Sequence, residues 1–116
     1  MSKPILLQTI KEKAPIYSPV VTISSTTTIN DYSTGKIYLC NTSSNITITL
    51  GHIDSTNIDN PIELEIINCG SGTVEITTQD LNIDWPKEVK SITLESGNAI
   101  ALKYYNLSWY IIGTYK

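Results

Sequence analysis

The sequence predicts an all-β fold: an antiparallel β-sandwich, jelly-roll-like, preceded by an extended N-terminal arm. With 116 residues, the chain is one domain by size. It contains 19 isoleucines, 15 threonines and 7 tyrosines, and these side chains favour the pleated, half-buried surface of a sheet. Short runs of alternating apolar and polar residues follow one another with turn residues between them and without a helical period. This spacing predicts about eight or nine short strands.

The predicted arm is residues 1–19, and the predicted β-sandwich domain is residues 20–116. Three prolines in the arm each fix φ and remove a backbone donor, so we expect an extended segment with at most one helical turn, around residues 6–11. Its apolar side chains either pack on their own domain or dock on a neighbouring subunit. These docking side chains are Ile5, Leu6, Leu7 and Ile10.

The sequence of the first half of the domain predicts three strands and one shorter extended piece, with polar turn residues between them. The run Ile46–Leu50 alternates most clearly, with its isoleucines and leucine facing inward and its threonines facing outward. The predicted strands are 20–23, 36–40 and 46–50, and the shorter extended piece is 27–29.

The second half predicts further short strands after a long polar loop, residues 51–60. The segment 69–72 reads Cys-Gly-Ser-Gly and predicts a tight hairpin turn, because glycine adopts positive φ without strain. The strand after that turn is then the partner of the strand before it. The predicted strands are 62–68, 73–77, 81–85, 89–94, 99–104 and 107–114.

The charge of the chain argues against a nucleic-acid partner. The net charge is −3, there is no arginine, and the eight lysines are scattered, whereas phosphate binding needs clustered cations. No apolar run is long enough for a membrane span. The N-terminus also lacks the apolar core and the cleavage site of a signal peptide. We therefore expect no nucleic-acid partner and no membrane partner.

The candidate catalytic groups do not form a recognisable set. His52 lies beside Asp54 and Ser55, but three residues of one loop cannot converge as a catalytic triad does, so we expect a solvated loop. Cys40 and Cys69 show no metal-binding spacing, and we interpret them as two reduced, partly buried thiols, with a disulfide as the alternative. We expect no enzymatic activity, no cofactor and no metal.

Two carboxylates lie near a tryptophan, which is a pattern found in sugar-binding and sugar-hydrolysing sites. Asp80 and Asp84 flank a short strand that ends at Trp85. Both acids are close to turns, so ordinary turn chemistry is the main interpretation and sugar or receptor binding is the alternative.

The aromatic residues of the last hairpin are candidates for an oligomer or receptor contact. Tyr104 and Tyr105 are neighbours on one strand and face opposite sides, so at least one of them faces outward. Tyrosine is enriched at interfaces because it combines a large apolar area with one polar tip. The candidate contact residues are Tyr104, Tyr105, Tyr110, Tyr115 and Trp85.

Three stretches together resemble the C-terminal and distal domains of bacteriophage tail fibres, head fibres and related virion appendages. In order, they read NITITLG at 45–51, IELEIINCGSGTVEI at 62–76 and SITLESGNAIALKYYNLSWYIIG at 91–113. The first strand of such domains commonly ends in proline, where this chain has Gly51.

The resemblance implies a small β-sandwich that assembles as a homotrimer. It also implies that Trp109 packs in the subunit core and that the glycine-rich segment 70–72 lies at one end of the domain. The family pattern contains no catalytic residues.

We therefore predict a non-enzymatic virion structural protein: a head fibre, a capsid decoration protein or a tail appendage. It would be located in the virion after assembly in the host cytoplasm. The arm would attach to other virion proteins, the β-domain would form the trimer, and exposed loops would contact the host surface, including its glycans. The alternative is a carbohydrate- or receptor-binding β-sandwich module that uses Trp85 or a surface tyrosine as a stacking platform.

Overall fold

The structure, a computed structural model, describes residues 20–32, 35–53, 62–83 and 89–115. Every regular element in these ranges is a β-strand, so the all-β prediction is confirmed. The nine strands are β1 (Val20–Ile23), β2 (Thr27–Ile29), β3 (Lys36–Cys40), β4 (Ile46–Leu50), β5 (Ile62–Asn68), β6 (Val74–Thr78), β7 (Ser91–Leu94), β8 (Ala99–Tyr105) and β9 (Ser108–Tyr115). The predicted arm, residues 1–19, lies outside the described residues.

The strands form two sheets, and the chain alternates between them from β1 to β6. One sheet has five strands in the order β1-β3-β5-β8-β9, and the other has four in the order β2-β4-β6-β7. Neighbours among the first six strands are parallel, and β7, β8 and β9 add to the sheets in the antiparallel sense. We call each strand–turn–strand unit that passes from one sheet to the other a winding.

The predicted antiparallel pairing is therefore wrong for β1 to β6, and the jelly-roll arrangement is not confirmed. The error lies mainly in the turns. Among the strands, the predicted strand 81–85 forms only isolated bridges at Asn82 and Ile83 within the described residues. Alternating side chains determine which face of a strand is buried, but they are compatible with either strand direction. Residues 69–73 do not form the predicted hairpin, because they carry the chain from β5 in one sheet to β6 in the other.

The two windings β3–β4 and β5–β6 pair with each other at the same sequence offset in both sheets. Lys36 pairs with Leu64 in the five-stranded sheet and Ile46 pairs with Val74 in the four-stranded sheet, and both offsets are 28 residues. The sequence shows no obvious repeat because few residues are identical at this offset. The alternation of inward and outward side chains is nevertheless the same in both windings.

The core lies between the two sheets and is built from the inward residues of both. Burying an isoleucine or leucine side chain contributes about 1.5–3 kcal/mol relative to leaving it exposed. The largest completely buried side chains are Trp109, Tyr104, Ile48, Leu50, Ile66, Ile76, Ile83, Leu102 and Val74.

The turns of the windings stack at one end of the domain, which we call the arch end. Backbone amides of Cys69 and Gly70 donate to the carbonyl of Cys40, and the amide of Gly72 donates to the carbonyl of Thr42. A Cβ at Gly70 or Gly72 would overlap the backbone of the winding beneath. The glycines are therefore required by this close approach, and not by the positive φ that the hairpin prediction assumed.

Candidate functional site

The opposite end of the domain, which we call the loop end, carries the longer connections and an aromatic cluster. Trp109 lies between two tyrosines: its ring centroid is 5.9 Å from that of Tyr32 and 5.2 Å from that of Tyr104, the latter in an edge-on arrangement. Trp109 is completely buried, and its indole N–H has no hydrogen-bond partner among the described residues. The cluster closes the core at this end.

Tyr32 links β2 to the segment that follows β4 at the loop end. Its hydroxyl lies 3.0 Å from the carbonyl oxygens of Ile29 and Gly51, so its single proton is shared between them. Burial raises the pKa of this phenol well above its ordinary value, and the nearby Tyr38 and Asp80 raise it further. The group therefore stays neutral and works as a hydrogen-bond donor.

His52 and Asp80 form a polar pair beside the aromatic cluster. The imidazole Nδ1 lies 2.5 Å from Oδ1 of Asp80, and because a carboxylate only accepts, Nδ1 carries the proton. The His52 side chain is 62% exposed, whereas that of Asp80 is 1% exposed. The second carboxylate oxygen accepts from the backbone amide of Ile53 at 3.2 Å. His52 was predicted to be a solvated loop residue, and its partner was missed.

This pair links the loop that follows β4 to the loop that follows β6. The backbone amide of His52 donates to the side-chain carbonyl of Gln79 at 3.2 Å, and the backbone amide of Asp80 donates to the Thr78 hydroxyl oxygen at 3.0 Å. Among the described residues, no hydroxyl or thiol is hydrogen-bonded to His52 as a nucleophile would be. The described part of the chain also contains no group of three potential metal ligands. The hydrogen bonds of His52, Ile53, Gln79 and Asp80 link the segment after β4 to the segment after β6.

The two cysteines are free and differ in exposure. Cys40 is buried in the core and Cys69 is exposed, and the Cys69 thiol lies 3.3 Å from the carbonyl oxygen of Cys40. Burial, with a smaller contribution from Cys69, raises the pKa of Cys40 to about 11. Cys40 is therefore an inert core residue, and Cys69 carries the accessible thiol.

The outer face of the five-stranded sheet is unusually apolar, and we call it the outer apolar face. Residues paired in register lie on the same face of a sheet, so the exposed Val20 places Ile37, Glu65 and Ala101 on this side. Ile112 is 52% exposed at the β-bulge of β9. The apolar members of the face are Val20, Ile37, Leu39, Ile67, Ala101, Tyr105, Tyr110 and Ile112.

The outer face of the four-stranded sheet is polar. Its outward residues are threonine, serine and glutamate, as the register of β2, β4, β6 and β7 shows. They are Thr28, Thr47, Thr49, Glu75, Thr77, Ser91 and Thr93. A domain with one polar and one apolar outer face has a preferred side for contact with a partner.

The structure places some of the predicted contact tyrosines on the outer apolar face and one in the core. Tyr105 is 67% exposed, and the half-buried Tyr110 lies opposite Lys103 on the same outer face. Tyr104 points the other way and is 1% exposed, so it has no surface for a partner. Trp85, the side chain of Tyr115 and the arm residues Ile5, Leu6, Leu7 and Ile10 lie outside the described residues.

No family model, curated protein or solved structure matches this chain. Within the described ranges, no helix has the length and apolar character needed to cross a membrane.

Proposed function

We propose that the chain is a non-enzymatic structural protein of a virion: a head fibre, capsid decoration protein or tail appendage. Its β-domain forms a homotrimer through the outer apolar face. The N-terminal arm attaches to other virion proteins, and the loop end is directed toward the host surface and its glycans.

The observation that carries this proposal is the contrast between the two outer faces. Both sheets contribute to the same core, so both need apolar residues on the inside, but neither needs them on the outside. Only the five-stranded sheet has them there. A second copy of the chain can bury these side chains without a special partner, since most soluble oligomers are symmetric assemblies of identical chains.

The described part of the outer apolar face carries three charged side chains. The Lys103 ammonium lies 3.4 Å from the Glu63 carboxylate, so this pair is neutral as a unit. The exposed Glu65 adds one carboxylate, which the contact must leave at its rim or pair with a cation of the partner. A paired charge costs less to bury than an isolated one. Tyr105 and Tyr110 lie near this pair and provide area with polar tips, as is typical of interfaces.

The assignment to a virion is supported by the sequence resemblance to phage fibre domains. The stretches that carry the resemblance correspond to β4, to β5–β6 and to β7–β9. Trp109, which the resemblance expects in the subunit core, is buried there.

The experiment is the oligomeric state of the full chain over a range of concentrations, measured by sedimentation velocity and light scattering. We expect a trimer. Ile112→Lys places a charge at the exposed apolar side chain of the edge strand β9 and should raise the dissociation constant at least about tenfold. Thr93→Lys, the matched control, places the same charge on the polar face and should leave the trimer intact.

A wild-type chain that stays monomeric at all concentrations would contradict the proposed trimer. Equal effects of the two lysine substitutions would contradict the choice of face. Turnover of a polysaccharide by the purified chain would contradict the non-enzymatic assignment.

A further inference from the structure

The outer apolar face contains a hollow beside β5, which is the central strand of its sheet. The hollow has a volume of about 120 Å³. Two of the positions that line it lack bulk, because Gly35 has no side chain and Ala101 has only a methyl group. Ile37 and Ile112 line it as well. A side chain that enters the hollow therefore reaches apolar side chains of three strands, β3, β8 and β9.

Glu65 is the unpaired acid of this hollow. It lies on β5 between Ile37 and Ala101 in register, and both of these neighbours are apolar. Among the described residues, its carboxylate has no ion-pair or hydrogen-bond partner. The other acid of the hollow, Glu63, is already paired with Lys103. A contact that covers the hollow takes water away from the Glu65 carboxylate, which is costly unless the partner supplies a cation or a hydrogen-bond donor.

The lysines of the described ranges do not supply this cation in a second copy. Lys103 is bound to Glu63. Lys36 borders the hollow, but it is an inward residue of β3, its side chain is 16% exposed, and its ammonium lies 3.7 Å from the Asp31 carboxylate. Lys90 is exposed, but it directly precedes β7 and so lies beside the other sheet. The suitable group on the outer apolar face is then a neutral hydrogen-bond donor.

Tyr105 has the properties of such a donor. Its side chain is 67% exposed on the outer apolar face, and within the described part of the chain its hydroxyl has no hydrogen-bond partner. Tyr105 lies four residues beyond Ala101 on β8, a distance of about 13 Å along the strand, so its ring cannot enter the hollow of its own chain. The outward residues of β8 increase in size from Ala101 through Lys103 to Tyr105, and this shape fits a second copy that is displaced along the strand.

We propose that Tyr105 of one copy enters the hollow of a second copy and that its hydroxyl donates a hydrogen bond to the Glu65 carboxylate there. The ring packs against Ile37 and Ile112 of that copy. The projecting tyrosine and the hollow occupy different places on the same face. Each copy can therefore fill the hollow of one neighbour and receive the tyrosine of another, as a closed ring of identical chains requires. This inference rests on the proposed trimer and adds the residues that determine how its copies fit together.

The first test is a double-mutant cycle on the dissociation constant of the full-chain assembly, measured by sedimentation velocity. Tyr105→Phe removes one hydroxyl and should raise that constant about tenfold per contact when Glu65 is present, but less than about twofold in the Glu65→Ala chain. Both side chains are exposed, so neither substitution disturbs the core. Tyr110→Phe, on the same face, is the matched control and should have an effect below about twofold in both backgrounds. Equal effects of Tyr105→Phe in the two backgrounds would overturn the pairing.

The second test locates the contact by photochemical cross-linking within the assembly. The amino acid p-azidophenylalanine replaces Tyr105, so that the ring is kept and the reactive group takes the position of the hydroxyl. Irradiation should link this position to Ile37, Glu65 or Ala101 of another chain, as identified by mass spectrometry of the cross-linked band. The same amino acid at position 110 is the matched control and should not give these links.

The outcomes separate this inference from the proposed function. A trimer in which position 105 is linked elsewhere, or to no other chain, would overturn the docking of Tyr105 and leave the proposed trimer intact. A wild-type chain that stays monomeric at all concentrations would overturn both.

Discussion

His52 and Asp80 face each other across consecutive windings, with Nδ1 2.5 Å from Oδ1, because the register that pairs β4 with β6 continues beyond both strands. The two residues are 28 positions apart, which is the offset of the strand pairs. The same offset brings the Thr49 and Thr77 hydroxyls within 3.2 Å of each other. The His52–Asp80 contact at the loop end is therefore a consequence of the 28-residue offset between β4 and β6.

Replacing Asp80 by Asn should lower the free energy of unfolding by about 1–3 kcal/mol. The carboxylate is buried and binds both His52 and the amide of Ile53, and an amide cannot accept both bonds in the same way. Urea unfolding measures the effect, with Glu95→Gln as the exposed control. A loss no larger than that of the control would show that the pair does not stabilise the fold.

Replacing Asn68 by Ala should cost about 2–3 kcal/mol. Its buried amide donates to the carbonyls of Gly72 and Leu94 and accepts from the amide of Gly70, so three backbone groups of the arch end lose their partner. Asn41→Ala, at an exposed turn position of the preceding winding, should change stability by less than about 0.5 kcal/mol. Similar unfolding midpoints for the two variants would contradict this role of Asn68.

Stability should decline at alkaline pH through Cys40. Its pKa is raised from 9.0 to about 11 in the folded chain, so the folded state disfavours the thiolate. The contribution of this group is complete below pH 9 and is lost as the pH rises through 11, by about 3 kcal/mol in total. Urea unfolding at several pH values should show a shallower decline for Cys40→Ala. Parallel curves for the two chains would assign the alkaline loss to the tyrosines.

The two thiols should react at very different rates with a thiol reagent in the native chain. Cys69 is exposed and should react within the mixing time of a manual assay, whereas Cys40 should react only when the chain unfolds. The measurement is the number of thiols modified by a disulfide reagent with and without urea. Modification of both thiols at the same rate without urea would contradict the burial of Cys40.

The strands were predictable from the sequence because the alternation of isoleucine with threonine or glutamate is local information. The run Ile46–Leu50, for example, forms β4 with the predicted inward and outward faces. The pairing of the strands was not predictable in this way. The turn at 69–73 has the glycines of a hairpin, but Gly70 and Gly72 fit against the winding beneath.

The candidate site was predicted only in part for a related reason. That one of Tyr104 and Tyr105 faces outward follows from the geometry of a strand, and the outward one is Tyr105. The pairing of His52 with Asp80 and the inward position of Lys36 depend on neighbours from other windings. The 28-residue offset between strand pairs is the feature that connects His52 with Asp80.

When consecutive windings pair at one constant offset, the fold itself does not determine how many windings a chain contains. The second and third windings share one offset, since Lys36 pairs with Leu64 and Ile46 pairs with Val74. The first winding is shorter, and pairs Val20 with Ile37 and Thr27 with Ile48. Tandem duplication of one such unit would insert a layer between the edge formed by β1 and β2 and the strands β7 to β9. It would lengthen the domain along the stacking direction by about 5 Å. Chains with different numbers of such units would therefore differ in length and keep the same edge strands.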